Sequence, residues 1–250
     1  YLAQSFSKTQ YQREGLYQNG LYANNSYGKG QKLDFEDFGF KGGLTYKING
    51  KNLLGLNASY QTQAPTMRNV FYNSRSNNLI IPDLMSEQLT SLDLSYIVRT
   101  PKFKGRLTGF YITDKNTNDI GFFYAEGLDD DDSSGGDDFV AEIVQGLDKL
   151  NIGAELGLEY QITSTIKAIG AASYGSYTYT NNPNVSLSID ARQAAGLNPV
   201  VNYGPSYLKN YKQPGTPQQA YSLGLEYRDP KFWWIGANAN YLNDIYVDVD

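Results

Sequence analysis

Cysteine and histidine are both absent from the 250 residues. The first absence excludes a disulfide framework and a thiolate metal site. The second removes the commonest general base and the commonest metal ligand, and with them any serine triad within this chain. Nowhere does an apolar run approach the roughly 18 residues of a membrane-crossing helix. Positive charge is also scarce. Lys and Arg total 21 against 26 Asp and Glu, a net charge of -5, and no basic patch interleaves with aromatics, which argues against nucleic acid as a partner. No glycine-rich phosphate loop leads from a strand into a helix; Lys41-Gly42-Gly43 lies inside a strand pattern and reads as a bend or a close approach.

What the chain has in quantity is tyrosine, with 22 copies, and glycine, with 25. Both are woven into alternating stretches. In LNIGAELGLEYQI, residues 150–162, every even position is apolar and every odd one is polar or glycine. A side-chain period of two is that of a β-strand. The same alternation runs through Leu54–Tyr60, Leu92–Val98, Tyr221–Tyr227, Trp233–Tyr241 and Leu44–Ile48. The mean hydropathy is negative, which does not exclude a membrane barrel, because lipid-facing and lumen-facing residues alternate and cancel in any average. About nine strands are predicted: 1–13, 33–48, 52–63, 88–99, 104–114, 149–162, 165–179, 219–228 and 231–243.

The connections alternate between two classes. Asn49-Gly50-Lys51, Thr100-Pro101-Lys102, Thr163-Ser164 and Asp229-Pro230 are tight turns. The segments 15–32, 64–87, 115–148 and 180–218 are long loops, unusual inside compact soluble domains. Short turns at one end and long loops at the other are the pattern of an outer-membrane barrel. Tyrosines mark both ends. Tyr60, Tyr111, Tyr174 and Tyr241 follow the short turns at the distance of a bilayer crossing; Tyr46, Tyr96, Tyr160 and Tyr227 precede them, with Trp233 beside the last. Two rows in phase with the turns read as a pair of interfacial aromatic girdles. Trp234, on the opposite face from Trp233, is expected to pack inside the wall. The fold class is therefore all-β, part of a large antiparallel transmembrane β-barrel with short periplasmic turns and long extracellular loops. Residues 1–250 form a fragment of one barrel domain. A large soluble β-sandwich that acts as a binding module is the alternative.

The wording of several segments then matters: Phe38-Gly-Phe-Lys-Gly-Gly-Leu-Thr-Tyr-Lys-Ile-Asn-Gly-Lys-Asn52, Asn57-Ala-Ser-Tyr60, Ala64-Pro65, Ser74-Arg75, Pro82-Asp-Leu-Met-Ser-Glu87, Phe103-Lys-Gly-Arg-Leu-Thr-Gly-Phe-Tyr111, and the strand pair Tyr221–Tyr241. In order and spacing these resemble TonB-dependent outer-membrane receptors of Bacteroidetes-type bacteria. The resemblance implies a parent barrel of about 22 strands enclosing an N-terminal plug, outer-membrane localisation in a Gram-negative bacterium, and active nutrient uptake energised through the TonB protein. Its partners would be the lipid bilayer, TonB through a plug segment outside these residues, and a surface lipoprotein over the loops. No cofactor and no bond-making chemistry are implied. The substrate class stays open among iron chelates, cobalamin, glycans and peptides. A passive pore, or a barrel that displays its loops as an adhesion or assembly platform, is the other reading.

Candidate site residues lie in the loops. Asn69, Tyr72, Arg75, Tyr203, Tyr207 and Tyr211 are polar or aromatic residues of the kind that bind ligands. The acidic run 129–138 offers hard oxygen ligands, and Asp130, Asp132, Asp137 and Asp138 are a candidate structural calcium site. It is not an EF-hand, because the twelfth position counted from Asp130 is Ala141. Phe139, Ile143, Val144 and Leu147 fall at helical spacing, which predicts a short helix over 139–147 inside that loop, capped by the acidic run. Glu155 and Glu159 share the polar face but stand about 13 Å apart along a strand, too far for a glycosidase pair. They read as wall charges facing basic neighbours such as Lys47, Arg99, Arg106, Lys167 or Arg228.

Overall fold

The alternating segments pair with their chain neighbours one after another, so that apolar positions meet apolar positions across every ladder. A computed structural model describes residues 1–125 and 138–247. Its described strands are β1 (Leu2–Gly15), β2 (Gly28–Lys47), β3 (Asn52–Gln63), β4 (Glu87–Arg99), β5 (Phe103–Ala125), β6 (Asp138–Gln161), β7 (Ile166–Tyr179), β8 (Asn184–Ile189), β9 (Val200–Pro205), β10 (Gln219–Arg228) and β11 (Trp234–Asn243), with one short helix, α1 (Asp190–Ala194). All pair antiparallel. The continuous path is β1-β2-β3-β4-β5-β6-β7-β10-β11, and β8 and β9 hang from β6. Register fixes the faces, since a slip of one residue would reverse them. Leu44, Leu56 and Leu94 lie on one line across β2, β3 and β4. Leu107, Leu156 and Ala172 lie on another across β5, β6 and β7. In this wall the apolar face is uncovered: Leu107 is 50% exposed and Leu223 67%.

The expected girdle tyrosines all lie on that uncovered face, and their stagger gives the inclination of the strands. Tyr60 stands opposite Thr90, two residues short of Leu92, which faces Tyr111. Tyr111 faces Ile152, two residues short of Ala154, which faces Tyr174. Tyr174 faces Gln219, two short of Tyr221, which faces Tyr241. The row therefore slips by one residue per strand. The lower row (Tyr46, Tyr96, Tyr160, Tyr227) slips by none, four and two residues in its three intervals and has the same mean. With a rise of about 3.3 Å per residue and strands about 4.8 Å apart, a level row then requires strands inclined by ~35°. Membrane barrels have that tilt. Lys41-Gly42-Gly43 is a close approach as expected: the Tyr1 ring and the Asn57 amide occupy the space a side chain at Gly43 would need.

Above the girdle the architecture departs from the expectation. The segment 115–148 is not one long loop, and 139–147 is not a helix. β5 continues to Ala125 and pairs with β6 from Asp138, and 180–218 contains β8, α1 and β9, so eleven strands are described rather than nine. The reason is burial on both faces. One face of the β5–β6 extension carries Ile120, Ala141 and Ile143 against Tyr72 and Ile81 of the β3–β4 loop. The other carries Val140, beside Leu187 and Ile189 of the paired strand β8 and under Ala191 of α1. A strand covered on both sides loses its period-two signal. The extension begins at a paired irregularity, where Asn116 (φ 59) and Gly146 (φ 73) both adopt left-handed backbone and the β5–β6 register shifts. Gly146 is also where β6 changes partner, from β7 below to β8 above. Trp233 packs on Tyr227 at 5.3 Å between ring centres. Trp234 is on the polar face opposite Arg228, but stands exposed at the strand end instead of packing inside the wall.

Candidate functional site

The polar face of the wall and the loop cap above it together form the candidate site. Along the wall, hydroxyls and amides pair strand to strand: Ser59 with Ser91 at 2.8 Å, the Asn57 amide donating to Asp93 at 2.9 Å, Ser95 with Thr108 at 2.9 Å. The Arg106 guanidinium lies over the last pair and donates to both hydroxyls at 3.1 Å. Asp93, Arg106, Asn151, Glu155, Tyr177 and Gln213 line a concavity of about 500 Å3. Phe110 and Tyr177 stack at 6.4 Å beside it, and Gln213 reaches across β7 to donate to Asn151 at 2.8 Å. Nearer the short turns the wall charges pair. Glu159 meets Lys104 at 2.8 Å and Lys167 at 3.9 Å, and Glu226 meets Lys167 at 3.5 Å and Arg228 at 2.5 Å. Lys167 was expected beside Glu159; Arg228 was expected there too but pairs with Glu226, Arg106 instead bonds Ser95 and Thr108, and Lys104 was not expected.

The cap is held to the wall by a few polar knots. Arg13, on β1, donates to the carbonyls of Ser74 at 2.6 Å, Ser26 at 2.9 Å and Arg75 at 3.4 Å, and to the Asn78 side chain at 2.5 Å. It thereby ties the β1–β2 loop to the β3–β4 loop. The Tyr22 hydroxyl donates to Asp190 of α1 at 2.6 Å, across 168 residues of chain. Burial first, then this bond and the charge of Asp190, push the Tyr22 hydroxyl well above its ordinary range. Burial likewise raises Asp190, opposed by the donated bond. A third knot closes the base of the extension: Asp148 accepts from the Asn116 N–H at 3.0 Å, Thr117 donates to the Leu147 carbonyl at 2.7 Å, and Asn181 donates to the Gly146 carbonyl at 2.6 Å.

The six candidate ligand residues divide. Tyr72 is inside the cap core, its hydroxyl raised by burial and bonded to Ser186. Asn69 donates its amide to the Asn118 carbonyl and pins the β3–β4 loop to β5. Arg75 is exposed at a turn closed by Asn73. Tyr203, Tyr207 and Tyr211 project from the β8–β10 region and are 58%, 79% and 54% exposed. Asp130, Asp132 and Asp137 lie outside the described residues, as does the side chain of Asp138. Among the described residues no three acidic side chains converge closely enough to hold a metal. The sequence held no signal for Arg13 or for the Tyr22–Asp190 bond, since both depend on loop partners remote in the chain. Asn73, Asn77 and Asn78 were a signal of a tightly turned loop.

An apolar face left uncovered between two aromatic rows, a polar face opposite it and a folded cap at one end define a section of outer-membrane-type β-barrel wall. The solved copper transporter OprC has a similar fold: the TM-score is 0.61 at 15% identity, covering 96% of this chain and 31% of that one. The toluene transporter TodX of P. putida aligns at 0.43 and 11% identity, over 95% of this chain and 59% of that one. The chain thus spans about a third of OprC and under two thirds of TodX. No family model and no curated protein matches the sequence.

Proposed function

We propose that this chain forms part of the wall and the extracellular cap of a Gram-negative outer-membrane transporter that takes up a nutrient by TonB-dependent active transport. The single observation that carries the reading is the opposition of the two wall faces, uncovered leucines and tyrosines outside and paired polar groups around a concavity inside. Such a wall is stable only with hydrocarbon on one side and water on the other. In this reading further strands join β1 and β11, because a bilayer core tolerates no open sheet edge. The family resemblance supplies the plug and the energy coupling. Substrate would be captured between the exposed cap tyrosines and the Arg106–Tyr177 concavity, without bond chemistry. A surface lipoprotein on the cap would be an additional partner.

The test uses the intact protein. It is expected to fractionate with outer membranes, to leave them only in detergent, and to have a mass on the order of 80 to 110 kDa, the size of about 22 strands with their loops and a plug. It is also expected to be retained on an immobilised periplasmic domain of TonB and to be closed in a planar bilayer. Steady conductance without retention would replace uptake by a passive pore. Neither conductance nor retention would leave a loop-displaying platform. Release into buffer without detergent would restore the soluble β-sandwich module.

A further inference from the structure

Asp37 lies on the polar face of β2, opposite Ser7 of β1, where the wall meets the cap. It is 1% exposed. Both of its carboxylate oxygens are buried, and neither has a hydrogen-bond partner. It is the only carboxylate in that position among the described residues. Other carboxylates of the cap and its base have donors: Glu87 accepts from Gln63 at 2.8 Å, Asp190 from Tyr22 and Asp148 from Asn116. A carboxylate taken out of water with neither donor nor counter-charge is strongly disfavoured, and an unsatisfied buried group calls for an explanation such as a bound ion.

The surroundings indicate what would satisfy it. The Tyr11 hydroxyl donates to the carbonyl of Pro65, itself fully buried, at 2.8 Å. That carbonyl keeps a second lone pair, as does the phenol oxygen. Burial, then the charge of Asp37, then that of Glu87, push the Tyr11 hydroxyl above its ordinary range, so both carboxylates act on the same spot. The sheet register, carried on from Gly39 and Gln61, sets Asp37 and Glu87 on either side of Gln63, with Asp114 and Lys149 acting on Glu87 from the far side, so the ligands on offer are oxygens, with no imidazole or sulfur. That is the preference of a hard cation. The carboxylate is sealed from solvent, which suits a bare ion better than a side chain of another protein.

We propose that Asp37 is the anionic ligand of a buried calcium-class cation at the junction of wall and cap, with the Tyr11 and Pro65 oxygens beside it and Glu87 as the second negative charge. The ion would fasten β1, β2 and the root of the β3–β4 loop together. It is a site separate from the acidic run 129–138 and independent of what the barrel transports.

The probe is terbium, a calcium substitute whose emission is excited through a neighbouring tyrosine, here Tyr11. The intact detergent-purified protein is used throughout in a background carrying Asp130→Asn, Asp132→Asn, Asp137→Asn and Asp138→Asn, which removes all four candidate ligands of the acidic run. Expected are tyrosine-excited terbium emission that calcium displaces, at least a tenfold loss of that emission in Asp37→Asn, and a calcium-dependent rise in unfolding temperature that Asp37→Asn abolishes. Tyr11→Phe should lose calcium affinity by a smaller factor, and Glu87→Gln should weaken it about tenfold while leaving the fold intact. Glu87→Gln therefore decides the matter should Asp37→Asn fail to fold. The proposal is overturned if Asp37→Asn keeps the emission, if Glu87→Gln leaves calcium affinity unchanged, or if Asp37→Asn is more thermostable than its parent at every calcium concentration. That last result would mean that water alone hydrates Asp37.

Discussion

One strand passes through two different solvents. Above Gly146, β6 carries Val140 and Ile143, both 0% exposed; below it, the same strand carries Ile152 at 47% and Leu156 at 36%. The upper half is apolar where it packs against loops and β8, as in any water-soluble core. The lower half is apolar where nothing of this chain covers it. The fully buried apolar side chains of the described residues cluster in the cap, while the wall keeps its leucines and tyrosines outside. Cap and wall use the same residue types with opposite meaning, and the difference lies in what stands against them. The cap must build its own apolar interior, whereas the wall borrows one from hydrocarbon.

The largest effect should separate cap from wall. Ile143→Ala leaves a cavity in the cap core and should cost about 2–5 kcal/mol of cap stability, read as faster hydrogen exchange and protease cleavage in residues 64–86 and 184–205. Leu107→Ala on the uncovered face loses transfer energy without a cavity, since lipid refills the space. It should cost no more than about 2 kcal/mol and leave cap exchange unchanged. Equal effects from the two substitutions would sink the comparison. Next comes Arg13→Ala, which removes a cation from four acceptors and should loosen the cap by about 3 kcal/mol. Two loops should then become protease-sensitive together while detergent-resistant wall structure persists.

The Tyr22–Asp190 bond gives a pH test. Both groups are raised in the folded cap. Each therefore contributes stability that is full below its unfolded pKa and is lost as pH rises through the folded value. For Asp190 that loss begins near the ordinary carboxylate range of about 4, and for Tyr22 above about 10. Cap exchange should accelerate in alkali above that point. Tyr22→Phe should shrink the alkaline limb to the smaller part left by buried Tyr72 and cost about 1 kcal/mol at neutral pH. The smallest effect is expected from Glu159→Gln. Its ion pairs with exposed Lys104 and part-buried Lys167 both reach into water at the Glu159 end, and each is worth at most about 1 kcal/mol and is screened by salt; thermal stability should hardly move.

The same contrast explains what could be read from the sequence. Wall strands announce themselves because one face meets lipid and the other water, so Leu150 to Ile162 alternates without a miss. The turns and girdle rows follow from the same constraint. The cap was misread where both faces of a strand are covered: Phe139, Ile143, Val144 and Leu147 imitate helical spacing because Val140 and Ala141 are buried as well. In β8 the alternation was present (Val185, Leu187 and Ile189 against Ser186 and Ser188) but in a strand of only six residues. Of the candidate loop residues, Tyr72 proved to be core for a reason sequence cannot supply: its partners Ile120 and Ile143 face each other on another hairpin, β5–β6.

The exchange of partners at Gly146 has a mechanical side. Because β6 belongs to the cap above that residue and to the wall below it, a pull on the cap along the barrel axis reaches the wall through the strand itself. Below Gly146 the strand is bonded to β5 on one edge and β7 on the other over its remaining length. Such a load runs parallel to the ladders and is shared by all their bonds at once, whereas a loop joined only at its tip would let them open one at a time. A large body tugging on the cap would be resisted by the wall in shear.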